Sequence, residues 1–520
     1  MKKYIVYVVL FLFSLLVFSP MLEVGIPPGV DTPAHLHKIW FLEKYFEEHH
    51  KFPTWDNYWY GGFTVFKHYP PISYYAGFIM SFFIDYIIGY KLLLFLSYII
   101  SALILYHLAL KIGLEENYSF LSGFFLLASY PIISNFGIWG RFPTAIALPF
   151  MLLTLLFLEY YKEFKQKRFI WYAGLCFGLL LLTHHLTAYA TAMVIGIYWI
   201  THLYYSDINK FKFTRNIIYI VAIGFIISSW YMVPFILDIN ETGFERDVDG
   251  GWFFLKEYFF KDIFNRNTIN DYVYPSYIGG SQIFLGLMGG FYLIRKSREN
   301  VYIWWSFLAM FGISMGLTNF FFKYIPFHSQ IDSARFYVYM APFLCILASY
   351  GVKQIVNFKF FQKNETAKYV LIALILIVTS SVAISSMKQL NSWQPTEDLT
   401  AAFQWISEKG KDGRIYGVGF GHWESYLFPT YNNREIVNGW YHEGTKHWKI
   451  IKELESMSWF NRINPSRMYE ILKQFNGRYV VIYDNWPAQH PLQTRDALDK
   501  SPLFTKVFEK DKITIFEVNL

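Results

Sequence analysis

Residues Gly29–Tyr75 read GVDTPAHLHKIWFLEKYFEEHHKFPTWDNYWYGGFTVFKHYPPISYY. This polar, aromatic stretch follows one apolar run, Tyr4 to Pro20, and precedes roughly 300 residues in which apolar runs of about 20 recur. Acidic residues, histidines and many rings are therefore concentrated at one membrane face, and the rest of the chain is best read outward from there.

The 520-residue chain is 54% hydrophobic and 21% aromatic, with 16% charged residues against the roughly 25% usual for a soluble domain. The runs continue to about Met387, and each is long enough to cross ~30 Å of hydrocarbon. The fold class expected is a polytopic α-helical membrane protein. The net charge of +7 does not point to nucleic acid, because lysines and arginines sit in short loops between spans, where they set orientation. Cys176 and Cys345 both lie in apolar segments, which excludes a disulfide in the external parts and any cysteine metal site. Lys2 and Lys3 before an apolar core imitate a signal peptide, but no small-x-small cleavage site follows, so an uncleaved first span is expected.

Candidate spans fall near 4–20, 72–89, 91–110, 118–134, 142–160, 169–183, 185–205, 215–237, 277–294, 301–318, 335–352 and 368–387. Basic loops at Lys162–Arg168, Lys210–Arg215, Arg295–Arg298 and Lys353–Lys368 are each two spans apart, so all can be cytoplasmic. That places 135–142, 238–276, 319–334 and everything after Met387 outside. An inside N-terminus with an outside tail needs an odd number of spans, so 11 or 13 are expected, with a broken or re-entrant piece in 72–110 or 118–142.

The chain divides by character into a membrane domain, 1–388, carrying an outer loop at 21–71, and an extracytoplasmic α/β domain, 389–520. In the tail, β-rich pieces are expected at Arg414–Val418, Tyr479–Tyr483, Thr505–Phe508 and Ile513–Val518, the last two as a hairpin. Helices are expected at Thr396–Glu408, Lys446–Ser456 and Pro465–Phe475, the last capped by Asn464 with Pro465 at its first position.

Asp31 is the leading chemical candidate. Thr32-Pro33 opens an amphipathic helix in which Leu36, Ile39, Trp40 and Phe46 face the membrane while His37, Lys38 and Glu47 face water. Asp31 either caps this helix or serves as a general base or metal ligand for an acceptor hydroxyl. His35, four residues on, shares its face and can orient the carboxylate or join it at a Mg or Mn ion. Trp55, Trp59, Tyr60, Gly61, Gly62, His68, Tyr69, Pro70 and Pro71 close the loop. They read either as an interfacial aromatic belt or as a sugar-gripping surface, with the glycines allowing close backbone approach. Arg141 and Arg335, at the outer ends of spans, either snorkel to water or grip a lipid phosphate through a planar fork. His184 and His185 point about 100° apart on a helix and make a poor pair for one ion.

The Asp-x-x-x-His pair, the Pro-x-Trp, the Gly-Gly and the Tyr-Pro-Pro together resemble the first outer loop of GT-C-fold membrane glycosyltransferases. The resemblance extends over the whole chain to the prokaryotic membrane proteins labelled 6-pyruvoyl-tetrahydropterin synthase-related, although no pterin-synthase zinc motif is visible. It implies an essential acid in the first outer loop, matched by Asp31, and an outer-loop arginine on the donor phosphate, matched best by Arg335. Many such proteins carry paired acids or Asp-x-Asp in this loop, whereas here Asp31 stands alone until Glu43.

The expected function is an integral-membrane glycosyltransferase of the cell envelope, multi-pass in the cell membrane. It would move sugar from a polyprenyl-phosphate donor to a glycan, lipid or protein acceptor at the outer face. Asp31 and His35 would do the chemistry, with Arg335, Arg141, Trp55, His68 and Tyr69 binding substrate. The alternatives are a lipid or sugar flippase or transporter, or a non-catalytic lipid-binding scaffold. Transport is disfavoured because the spans are nearly free of charge at their centres and show no repeated halves.

Overall fold

The computed structural model describes residues 3–238, 277–314, 333–420, 427–440 and 445–520. The expected outer stretches at 238–276 and 319–334, and the end of the 301–318 span, lie mostly outside the described residues. Among those described, eight helices are long and apolar enough to cross a membrane: Tyr4–Leu22, Tyr86–Lys111, Glu116–Gly137, Phe142–Phe164, His185–Tyr205, Lys210–Asp238, Ala334–Val356 and Glu365–Leu390. Arg168–Thr183 is a shorter apolar helix beside them.

The parity conflict in the sequence meets two interruptions. The 72–89 segment is not one helix: Ile72–Ser81 runs for 10 residues, about 15 Å at 1.5 Å per residue, well short of the hydrocarbon thickness. After it, Asp85 accepts from the backbone N–H groups of Ile87 (2.9 Å) and Ile88 (3.2 Å) and so starts the separate Tyr86–Lys111 helix. The 118–134 span breaks after Leu127 and restarts at Tyr130, with Pro131 in the new first turn, where its missing N–H is no loss.

The chain packs as two compact units. One gathers residues 3–29, 91–233, 277–314 and 333–392; the other gathers 30–90, 234–238 and the described part of 393–520. Packing thus groups the polar loop with the tail, whereas hydropathy had grouped it with the spans.

In the first unit, helices approach through glycine. Without a hydrophobic force between helices in lipid, close van der Waals contact must hold them, and small residues permit it. A Cβ on Gly289 would lie 1.9 Å from the Leu347 carbonyl oxygen, and one on Gly351 2.0 Å from that of Leu285. Helices Gly280–Lys296 and Tyr337–Val356 are therefore in backbone contact. Hydroxyls add links across spans, as between Ser122 and Ser349 (2.9 Å) and from Tyr302 to the buried Glu159 (2.9 Å). Both cysteines are buried and free.

In the second unit a four-stranded sheet has the order β1 (Arg414–Val418), β2 (Gly477–Tyr483), β4 (Ile513–Val518), β3 (Phe504–Lys510). β1 and β2 are parallel, and the other pairs are antiparallel. All four expected strands are present, the last two as the hairpin. Helices Glu397–Lys409, Trp448–Trp459 and Pro465–Gln474 match the expected three, and Asn464 caps the last by accepting from Arg467 N–H at 3.1 Å. Helices Leu427–Asn432 and Pro491–Asp499 had no clear periodicity to announce them.

Two stability predictions follow from this packing. Gly289→Ala or Gly351→Ala must push two helix backbones apart and should destabilise by about 1–3 kcal/mol, whereas Gly196→Ala, with open space around it, should be neutral or better. Melting of the three variants in detergent checks the order. Glu455 is part-buried in helix Trp448–Trp459, and burial pushes its carboxyl from the ordinary 4.5 up to about 8. Across that interval the folded state holds a proton the unfolded chain has released. Stability should therefore be fullest below the ordinary value and should fall as pH rises toward about 8. Denaturant titrations between about pH 5 and about pH 9 should show the decline in the parent and a flatter profile in Glu455→Gln. Parallel profiles would reject the assignment.

Candidate functional site

The helix opening at Thr32 organises the second unit. It runs Thr32–His49 with Pro33 in its first turn, and Thr32 through Ile39 are all buried. Burial of His37 and Lys38 reverses the water-facing placement expected from amphipathicity; Glu47 alone of that trio is exposed. The reason is that residues from both the loop and the tail cover this end of the helix.

Asp31 occupies the N-cap position but makes no side-chain capping bond. The residue is 6% exposed, and its Oδ1 accepts a 2.6 Å hydrogen bond from the indole Nε1–H of Trp440. Tyr74 and Tyr90 lie within its electrostatic range. His35 is fully buried, and its Nδ1 is 2.8 Å from the Tyr74 hydroxyl. Its backbone N–H closes the first helical turn onto the Asp31 carbonyl at 3.1 Å. Thr32 meets Tyr90 through their hydroxyls at 3.4 Å.

Lys38 is 2% exposed, with its ammonium 4.6 Å from the Tyr69 ring, 5.3 Å from Tyr74 and 5.8 Å from Trp59. Ring faces stabilise such a desolvated cation electrostatically. Seven residues after Asp31 on a helix, it returns to within about 20° of the same face. Beside this group, His37 Nε2 meets Asp56 Oδ2 at 2.9 Å, with both side chains fully buried, and its ring stacks on Trp59 at 4.3 Å. Asp56 Oδ1 also accepts from the Tyr58 N–H at 2.8 Å. Burial first, and the Asp56 carboxylate next, raise the Tyr58 phenol well above its ordinary value, so it stays protonated. It donates to Asn433 Oδ1 at 2.5 Å.

Of the loop aromatics, Tyr69 joins the Asp31–His35–Lys38 face, its ring 6.4 Å from that of His35. His68 is buried. Trp55 is 44% exposed, and its ring covers Gly62: a Cβ there would lie 2.2 Å from the indole, and Gly62 has a φ of +112°. Gly61 has a φ of +70° as well, and a Cβ there would lie 2.9 Å from the Phe475 ring, so space and backbone demand glycine at both positions.

Arg141 and Arg335 belong to the first unit. Arg335 stands in the 3₁₀ turn Ser333–Phe336 at the head of helix Tyr337–Val356, and Arg141 precedes helix Phe142–Phe164 with its guanidinium 4.6 Å from the Trp139 ring. Both lie within electrostatic range of His184 and Tyr339. His184 Nδ1 is 2.8 Å from the Thr187 hydroxyl, which is 3.0 Å from Tyr339 Oη. Two cations thus border a buried hydroxyl–imidazole network. His185 instead stacks on Tyr231 at 5.5 Å, so the adjacent histidines diverge.

A divalent ion at Asp31 and His35 finds few ligands. Asp31 Oδ1 and His35 Nδ1 are engaged by Trp440 and Tyr74, and among the described residues no group of three or more His, Cys, Asp or Glu can hold a metal. Sequence reasoning overlooked Lys38, the His37–Asp56 pair and Trp440. The heptad interval from Asp31 to Lys38 was a usable signal; nothing local marks Trp440, 409 residues away.

No curated protein matches the sequence. Several solved structures share its fold. The oligosaccharyltransferase AglB from Archaeoglobus fulgidus, solved with an inhibitory peptide and a dolichol-phosphate, superposes with a TM-score of 0.61 at 12% identity, over 92% of this chain and 69% of that one. ArnT from Cupriavidus metallidurans in the apo state gives 0.61 at 12%, over 99% and 98%. Arabinofuranosyltransferase AftD from Mycobacteria gives 0.63 at 13%, over 100% of this chain and 42% of its own. At such identities the likeness establishes the GT-C fold and nothing finer. The family model described as the 6-pyruvoyl-tetrahydropterin synthase related domain, a membrane protein, matches residues 66–392, well over half of the sequence. The chain belongs to that family of membrane proteins.

Proposed function

We propose that this protein is a glycosyltransferase that moves a sugar from a polyprenyl-phosphate donor to an acceptor hydroxyl at the outer face of the membrane. The observation that carries the reading is the Asp31 carboxylate: buried at a helix start, not capping that helix, and held by Trp440 one helical turn before His35. AglB was solved with a dolichol-phosphate and ArnT with undecaprenyl phosphate, so proteins of this fold receive such lipids. The basic loops between spans support an outward orientation for the loop and tail.

In this reading Asp31 takes the proton of the acceptor hydroxyl as its oxygen attacks the anomeric carbon. The bond from that carbon to the phosphate oxygen breaks, the configuration inverts, and the polyprenyl phosphate leaves with the electron pair. Arg335 and Arg141 neutralise the leaving phosphate, as a planar guanidinium suits its oxygens. His35, locked to Tyr74, holds the face on which the acceptor rests, and Tyr69 and Trp55 offer rings to the sugar. Lys38, its ammonium over the Tyr69 ring, adds a positive charge to the same helix face two turns on from Asp31.

Asp31→Asn preserves volume and can still cap a helix, but it cannot take a proton. It should lower transfer by roughly 10²–10⁴-fold while leaving expression and donor binding nearly intact. Activity retained at the parent rate would return Asp31 to a structural role and favour a lipid-binding scaffold. Arg335→Ala should weaken the donor about ten- to a hundredfold, since bonds to charged groups contribute about 1.5–3 kcal/mol. Arg335→Lys should recover only part, because it keeps the charge but loses the fork. Donor titrations of the three proteins decide: equal affinities would reject a phosphate role for Arg335.

A further inference from the structure

A carboxylate at the N-cap position has a standing alternative use. It can swing back onto the free N–H groups of the first helical turn, the commonest role of Asp at such a site. Asp31 does not do so. Its backbone there is helical (φ −87°, ψ −10°) rather than extended as at a side-chain cap, and Oδ1 instead accepts a 2.6 Å bond from the Trp440 indole, which comes from the tail.

The segment bearing Trp440 is anchored at several points. Val437 N–H donates to the Ile415 carbonyl at 2.8 Å, and Ile415 bridges Ile436, which ties the segment to the edge of the sheet at β1. Ile436 N–H donates to the Tyr58 carbonyl at 2.7 Å, and Asn57 donates to Glu435. Phe63 bridges Thr445 on the far side. Gly439 lies flat against Tyr60: a Cβ there would meet the ring at 2.5 Å, so the backbone carrying Trp440 is pressed onto the loop. These contacts fix the indole nitrogen relative to the start of the helix.

We propose that Trp440 is a positioning residue for Asp31: its indole N–H pins Oδ1 and leaves Oδ2 to receive the proton of the acceptor. The tail thereby completes the reacting end of the loop. This rests on the glycosyltransferase reading for its catalytic consequence, but the contact itself is independent of it. Trp440 touches no reacting atom and acts only through Asp31.

The test uses the full-length protein labelled with ¹⁵N at its indoles. The Trp440 resonance is identified by its loss in Trp440→Phe, or in Trp440→Tyr should the first not fold, and it should move when Asp31 is replaced by Asn. An unmoved resonance overturns the contact whatever the protein catalyses. With a polyprenyl-phosphate sugar donor, Trp440→Phe should lower kcat roughly ten- to a hundredfold while the donor KM stays within about twofold. A parent kcat in that variant, with the resonance shift intact, overturns the positioning role and leaves the glycosyltransferase reading standing. A parent protein inactive with every such donor, whose Trp440 resonance still answers to Asp31, sinks that reading and leaves the contact standing.

Discussion

Desolvation at the start of helix Thr32–His49 is the constraint on which the second unit depends. Asp31, His35, His37 and Lys38 are all buried within the first two turns. Removing ionisable groups from water is tolerable only when each finds a partner of suitable geometry. Each is met by a different part of the chain: Asp31 by Trp440, His35 by Tyr74, His37 by Asp56, and Lys38 by the rings of Tyr69, Tyr74 and Trp59. The helix therefore dictates where the loop turns, where the next helix begins and where the tail returns. A single misplaced segment would leave a buried charge without compensation, which destabilises far more than a lost surface contact.

The first unit obeys a different constraint. Its helices gain little from hydrophobic association within lipid, so they are held by fit and by a few polar links. Gly289 and Gly351 bring two backbones together, and Ser122 with Ser349 or Tyr302 with Glu159 add directional bonds between spans. Rigid packing of this kind suits a scaffold that presents Arg141 and Arg335 at helix starts in fixed positions.

Much of the fold was legible because its signals are local. Apolar runs mark spans, short β-rich pieces marked all four strands, and Asn464-Pro465 marked a helix start that forms as read. The 72–89 segment misled because composition outweighed one residue: Asp85 can begin a helix, and a capping side chain interrupts an apolar run that hydropathy averages over. Within the site, Asp31 and His35 were readable from their spacing, and Lys38 was readable in principle from its heptad interval. Its burial was not, because amphipathicity reports which face is polar and cannot report that another segment will cover it. Trp440 is the extreme case. Its relation to Asp31 exists only after the tail has folded onto the loop, and no periodicity spans that separation.

That relation bears on why an acid placed at a helix start is useful at all. The N-cap position offers a carboxylate a nearby cluster of N–H donors, and a carboxylate so satisfied is a weaker base because its charge is already shared. A base is effective when it is positioned but keeps one oxygen open. The indole supplies a single donor, from outside the helix, to a single oxygen. An arginine or lysine in its place would offer several donors and could engage both oxygens. A tryptophan directs one oxygen of the carboxylate and has no second N–H to give. For the base proposed at Asp31, a single donor reconciles two opposed demands, immobility of the group and availability of its charge.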